Sequence, residues 1–242
     1  MRLSKFTELG LVFILVGTAC QAAGRKSLSV EKICGGTLPA AEQVVSIMDS
    51  CGVASHEIGC VDWKEYPYKP KVSFRIAHTG TAILLQYNVS EESIRAEADK
   101  DNGHVWEDSC VEFFLSPSND DFYYNFECSC IGKVLLAGGE KGGKRLAADS
   151  SVLKLVRRWS SLGSGTFSSR TGGFEWTATL VIPVEALYLN DIESLDGKRM
   201  KGNFYKCGDR LPTPHYLSWN RVRTPKPQFH SPEYFGKLKF RR

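Results

Sequence analysis

The chain has 242 residues, 42% hydrophobic and 24% charged, which are globular values that exclude wholesale disorder. The formal net charge is +4, and Lys237, Lys239, Arg241 and Arg242 form the one basic concentration. No stripe of positive charge tracks a groove, so nucleic acid is not expected as a partner. At the N-terminus, Arg2 and Lys5 precede an uncharged apolar run over residues 9–16. A membrane-spanning helix takes about 20 apolar residues, so the run is too short to cross. Gly17 and Ala19 offer small side chains just ahead of Cys20, and residues 1–19 read as a short, helical signal peptide. Residues 20–45, with Gly24 and the Gly35-Gly36 pair, carry little core-forming pattern and read as a tether.

From residue 46 onward the β signal dominates. Val72, Phe74 and Ile76 alternate within 71–78, and 82–89 reads as the hairpin partner across Gly80. Residues 91–99 read as a loop or short helix. Further strands are expected over 109–116, 123–129, 133–136, 152–159, 175–183, 204–207, 216–219 and 235–240. Many short strands separated by turn residues, with no internal repeat, predict one all-β domain over 46–242, a sandwich or a barrel.

The eight cysteines suit an oxidising compartment. The segment from Val16 to Cys20 resembles a lipobox with Gly17 where Leu is usual, so Cys20 is the candidate lipidation site. That would place the chain in the cell envelope, as an outer-membrane lipoprotein, in the periplasm or at the surface, with the lipid its one membrane contact. Lipidation would leave an odd number of thiols, with Cys34, Cys51 and Cys60 free to pair among themselves or with Cys207. Cys128-Ser129-Cys130 has one intervening residue and no second pair at ligand spacing, so it does not read as a zinc site.

The densest information lies between Trp106 and Ile131. Side chains alternate across a strand, so Val111, Phe113 and Leu115 take the core face of 109–116. Cys110, Glu112 and Phe114 take the other face, with Asp108 and Trp106 continuing the parity. In 123–129, Tyr124, Phe126 and Cys128 form the apolar set and leave Tyr123, Asn125, Glu127 and Ser129 opposite. If the strands pair, Glu112, Asn125 and Glu127 share a face with Trp106 at its rim. A ring that stacks on the C–H face of a pyranose, beside groups that bond hydroxyls, is the chemistry of sugar binding. An ordinary solvated face is the alternative, although Glu and Asn have low strand propensity.

The run from Trp106 to Phe114 and the run Tyr123-Tyr124-Asn125-Phe126-Glu127 resemble family 9 carbohydrate-binding modules. So do the runs from Pro214 to Asn220 and from Phe229 to Gly236. The resemblance covers roughly residues 45–242. It implies two antiparallel sheets in a β-sandwich and a saccharide or polysaccharide ligand clamped between two Trp rings, in a stand-alone envelope protein. Matched residue by residue, Trp106 and Glu112 stand for the first ring and its carboxylate, with Asn125 and Glu127 beside them. Trp219 is the candidate second ring, with Asn220 and Arg221 following it. Alternation also puts Trp219 on the same face as Leu217, where a core position is equally open. Structural calcium occurs in the family; Asp99, Asp101, Asp120 and Asp121 are acidic candidates, but no calcium loop is recognisable.

Two rival readings remain. A glycoside hydrolase needs two carboxylates facing each other across a bond, and Glu112 and Glu127 are the candidates. A structural or protein-binding envelope protein is the other. No Met–His pairing suggests a haem site.

Overall fold

The computed structural model describes residues 24–33, 38–118 and 120–242. The expected signal peptide, Cys20 and Cys34 lie outside the described residues. Among the described residues, no helix is long and apolar enough to cross a membrane.

The fold is all-β. In chain order the strands are β1 (Ser27–Lys32), β2 (His56–Glu57), β3 (Cys60–Val61), β4 (Lys71–His78), β5 (Ala82–Ala96), β6 (Cys110–Ser116) and β7 (Phe122–Ser129). There follow β8 (Val134–Glu140), β9 (Leu146–Ala147), β10 (Arg157–Ser160), β11 (Phe167–Pro183), β12 (Arg199–Cys207), β13 (Tyr216–Ser218) and β14 (Gly236–Phe240). The hydrogen-bonded order is β10-β11-β5-β4-β1-β14-β12-β6-β7-β8-β9, with β13 joined to β12 and β3, and β2 to β4. Two short helices, α1 (Val44–Ser50) and α2 (Ser150–Leu155), lie outside the ladders.

The alternating apolar residues of the strands meet in one core. Val72, Phe74 and Ile76 of β4 and Ile83, Leu85, Tyr87 and Val89 of β5 are all buried, as are Val111, Phe113 and Leu115 of β6. Phe74 stacks on Phe204 of β12 at 3.7 Å between ring centroids, and Phe204 stacks in turn on Phe113 at 4.9 Å. The Tyr87 hydroxyl donates to the Glu112 carbonyl at 2.9 Å. Burying each such ring contributes roughly 1.5–3 kcal/mol. Val44 and Met48 of α1 cover a second apolar cluster on the reverse side of β4, β5 and β11, with Ala77, Leu84 and Val181.

Four expectations are corrected. The supposed tether contains β1, whose Leu28 and Val30 are buried. This strand runs parallel to β14 through Ser27 to Val30 and parallel to β4 through Glu31 and Lys32, so the ladders are not all antiparallel. Residues 91–96 continue β5 instead of forming a loop, because β11 is long enough to pair with them across two register shifts. Residues 152–155 belong to α2 and only 157–160 form a strand, because the Asp149 side chain accepts from the Ser151 and Val152 N–H groups and caps the helix.

Candidate functional site

The β6–β7 ladder sets Glu112 directly opposite Glu127, and Phe114 opposite Asn125. Tyr205 of β12 stands on the other side of Glu112. One face of β6, β7 and β12 therefore carries Cys110, Glu112, Phe114, Tyr123, Asn125, Glu127, Tyr205 and Cys207. The alternation in the sequence predicts this face, but as a surface. In the structure it is covered by loops bearing Trp63, Val105, Val222, Phe229 and Phe235, which pack on Phe114, Tyr123 and Tyr205.

The cover is fixed by specific bonds. The Trp63 indole N–H donates to the Thr224 carbonyl at 2.8 Å. Asp62 accepts from Ser218 Oγ at 2.6 Å and from Val222 N–H at 3.0 Å. Phe229 stacks on Tyr205 at 4.1 Å, and its carbonyl accepts from the Tyr205 hydroxyl. Trp106 sits on a single 3₁₀ turn, Val105–Glu107. The next residue, Asp108, holds that turn: it is fully buried, pairs with Arg95 at 2.9 Å, and accepts from the Glu97 and Ala98 N–H groups.

Between sheet face and cover is a cavity of about 390 Å³, lined by Trp106, Glu112, Asn125, Glu127, Arg145, Cys207, Asp209, Tyr216, Phe229 and His230 among others. That volume falls within the usual range of ligand pockets, about 300–1,000 Å³. The Trp106 ring packs against His104 at 4.6 Å. Asn125 Nδ2 donates to Glu127 Oε1 at 2.9 Å, and Arg145 Nη2 donates to Asn125 Oδ1 at 2.5 Å. The Arg145 guanidinium also lies over the Tyr123 ring at 4.0 Å and donates to the carbonyls of Gly139, Tyr123 and Ala137. Gly139 allows this approach: at φ 155° a Cβ there would lie 2.7 Å from the Lys144 carbonyl and 3.0 Å from Arg145 Cα.

Burial dominates the electrostatics of the cavity. It raises Glu112 well above the usual carboxylate range, and the neighbouring Cys207 and Glu127 add to the shift. Burial pushes Glu127 up to about 7, against the hydrogen bond from Asn125 and the charge of Arg145. Asp209 rises to about 6 for the same first reason, while its bond to Tyr216 opposes the rise. The floor of the cavity is thus rich in carboxyl groups that hold protons near neutrality and can donate as well as accept hydrogen bonds.

Of the residues singled out from sequence, Trp106, Glu112, Asn125 and Glu127 are brought together here. Trp219, Asn220 and Arg221 are not. Trp219 is 4% exposed and packs edge-on against Phe74 and Phe204 in the core. Asn220 joins chain segments, accepting from Lys26 N–H and donating to the Tyr234 carbonyl. Arg221 points outward, 3.8 Å from Asp62. His230 lines the cavity and meets the Tyr123 hydroxyl at 2.9 Å, whereas His215 is buried against Lys206 at 2.9 Å. Arg145, Cys207, Asp209, Tyr216 and Phe229 were not singled out as site residues; Tyr216 and Phe229 belong to the runs 214–220 and 229–236 that carry the resemblance, whereas Arg145 and Asp209 arrive from segments in which no motif was read.

A larger groove of about 760 Å³ runs over β4, β5 and β11. Its one Trp, Trp176, is buried with its N–H spent on Glu91, so the groove has no free ring to stack on a ligand. Among the described residues, the acidic calcium candidates belong to no cluster of three or more potential ligand groups. Asp101 accepts from Val134 N–H and pairs with Arg158, and Asp120 accepts from Phe122 N–H. None of the six described cysteines forms a disulfide, and Cys207 faces Cys110 instead of Cys51 or Cys60.

The sequence profile described as carbohydrate-binding family 9 matches residues 42–240. The chain belongs to that family. A crystal structure of a candidate carbohydrate-binding protein from Bacteroides uniformis is 53% identical, with a TM-score of 0.88 over 90% of this chain and 100% of that one. A family 9 module from Caldicellulosiruptor kristjanssonii, solved in complex with glucose, is 12% identical, with a TM-score of 0.55 over 89% of this chain and 96% of that one. Its complex with cellotriose gives a TM-score of 0.53 at the same identity, over 89% of this chain and 94% of that one. At that identity the likeness is one of fold. No curated protein matches the chain.

Proposed function

We propose that this family 9 chain is a non-catalytic saccharide-binding protein whose site is the cavity between β6, β7 and the loop over them. The observation that carries the reading is the gathering of Trp106, Glu112, Asn125 and Glu127 in that one cavity. Trp106, with Tyr216 and Phe229, offers apolar rings for the C–H face of a pyranose, and the carboxyl, amide and guanidinium groups bond its hydroxyls. The all-β fold, with the Phe74–Phe204–Phe113 stack in its core, is the scaffold that holds these groups. The modules from Caldicellulosiruptor kristjanssonii solved with glucose and cellotriose make neutral gluco-oligosaccharides the first ligands to test.

Binding rather than hydrolysis is favoured by the placing of the two glutamates. They are neighbours on one wall, cross-strand partners in the ladder, whereas hydrolysis needs carboxyl groups on either side of the bond. In this reading the protein is exported through residues 1–19, is held in the envelope by lipid on Cys20, and captures polysaccharide for breakdown by other proteins. The test is calorimetric titration of the full chain with glucose, cello-oligosaccharides and a panel of other sugars, with Trp106→Ala alongside. The expected result is binding by the wild type that weakens at least about tenfold, or about 1.4 kcal/mol, in a variant with an unchanged melting temperature. A folded wild type that binds no sugar overturns the reading.

A further inference from the structure

Cys110 and Cys207 stand opposite each other in the β6–β12 ladder, and Glu112 follows on the same face of β6. One ligand atom from each, two sulfurs and a carboxylate oxygen, lie within 4.8 Å of one another. Cys207 Sγ is 3.1 Å from Glu112 Oε1. All three residues are buried, none more than 3% exposed. Glu112 and Cys207 also line the cavity, so the cluster is open on that side. The titratable groups acting on Glu112 are Cys207, Glu127 and Asp209, none of them cationic.

We propose that Cys110, Cys207 and Glu112 form a site for one thiophilic metal ion of the zinc class. Ligand atoms around a tetrahedral zinc ion lie roughly 3.6–3.8 Å apart, given bond lengths of about 2.3 Å to sulfur and 2.1 Å to oxygen. The present separations reach that geometry by rotamer adjustments of about an ångström or less. Thiolates select zinc and cuprous ions, whereas calcium and magnesium take all-oxygen sets, so this is a soft site. On binding, both S–H bonds and the Glu112 O–H bond break, each sulfur and the carboxylate oxygen keep their electron pairs and donate them to the metal, and the three protons go to solvent. No oxidation state changes. The fourth position faces the cavity and takes a water molecule. The competing fate of two facing thiols is a disulfide; the turn of Cys207 Sγ onto a carboxylate oxygen is what favours an ion.

The proposal is tested without any sugar, so it stands or falls apart from the saccharide reading. Full chain, reduced and stripped with a chelator, is titrated with cobalt(II) and then zinc. The expected result is one cobalt per chain, with thiolate-to-cobalt charge-transfer absorption in the near ultraviolet that zinc abolishes by displacement. Cys110→Ser should remove the band, Glu112→Gln should weaken cobalt binding at least tenfold, and Cys51→Ser should change neither. Circular dichroism checks that each variant is folded, and Cys207→Ser replaces Cys110→Ser if the latter is not. Absence of the band in folded wild type, its persistence without both cysteines, or a Cys110–Cys207 disulfide that reforms in preference to metal overturns the proposal.

Discussion

Arg145 ties several parts of the cavity wall together, bonding Asn125 and three backbone carbonyls and covering Tyr123. A lysine keeps the charge but not the planar fork, so Arg145→Lys leaves several of these acceptors unmet. Losing a charge-assisted bond of this kind costs about 1.5–3 kcal/mol. The expected outcome is sugar affinity reduced roughly tenfold or more, read by calorimetry, together with a lower melting temperature. His230 supports a second prediction. Burial, with Arg145 nearby, lowers it to about 4. In the unfolded chain a histidine titrates near 6.5, so between about 6.5 and 4 the unfolded state binds the proton that the folded state refuses. Stability is therefore lost as pH falls through that window. His230→Gln removes this contribution, and the melting temperature of wild type minus variant should fall between pH 7 and pH 4. A difference independent of pH would show that His230 is not held neutral. At this scale the sequence was informative wherever one strand could be read by parity: Glu112, Asn125 and Glu127 follow from alternation alone, whereas Trp106 reaches the cavity from a 3₁₀ turn outside the strand whose parity was extended to it. Cys207 opposite Cys110, and Arg145 beside Asn125, depend on which strands become neighbours, and local alternation does not record that.

Among the elements, the turn that carries Trp106 depends on Asp108. Its carboxylate is the common acceptor for Arg95 and for two backbone N–H groups at the end of β5. Removing one partner of a buried pair leaves the other charge uncompensated and costs about 3–5 kcal/mol. Asp108→Ala is expected to lower the urea unfolding free energy by an amount of that order and to shift the Trp106 fluorescence, whereas Glu107→Ala, on the more exposed side of the turn, should leave the fluorescence close to wild type. The same segment shows why β5 was under-read. Glu91, Glu92 and Ser93 look like a polar loop, yet Glu91 is buried because Lys206 and Trp176 both reach its carboxylate. A buried ion pair between β5 and β12 makes strand out of residues whose own propensity opposes it. Conversely, 152–155 has strand-like composition, but the cap at Asp149 turns it into helix. Long alternating strands were legible; segments decided by a partner or a cap were not.

At the scale of the molecule, β1 is the link on which the order of strands depends. It stands between β4 and β14, so the run β10-β11-β5-β4 meets the run β14-β12-β6-β7-β8-β9 through it. Its sequence, with Leu28 and Val30 set among polar residues, is too short and too polar to announce a core strand. Its burial arises only when two distant partners flank it in parallel. The backbone on both sides relies on it: Lys237 N–H donates to the Lys26 carbonyl, Arg241 N–H to the Val30 carbonyl, and Ile33 N–H to the His78 carbonyl. Removing the segment would expose the facing edges of β4 and β14, with unpaired N–H and C=O groups open to other chains. Losing Leu28 and Val30 from the core removes roughly 1.5–3 kcal/mol apiece before any ladder bond is counted. A chain beginning at residue 46, the boundary that composition alone suggests, is therefore expected to melt well below the full chain and to aggregate, as read by thermal denaturation and light scattering. Equal melting temperatures for the two would mean that the strands on either side hold together without β1, and that the cavity borne by β6, β7 and β12 owes it nothing.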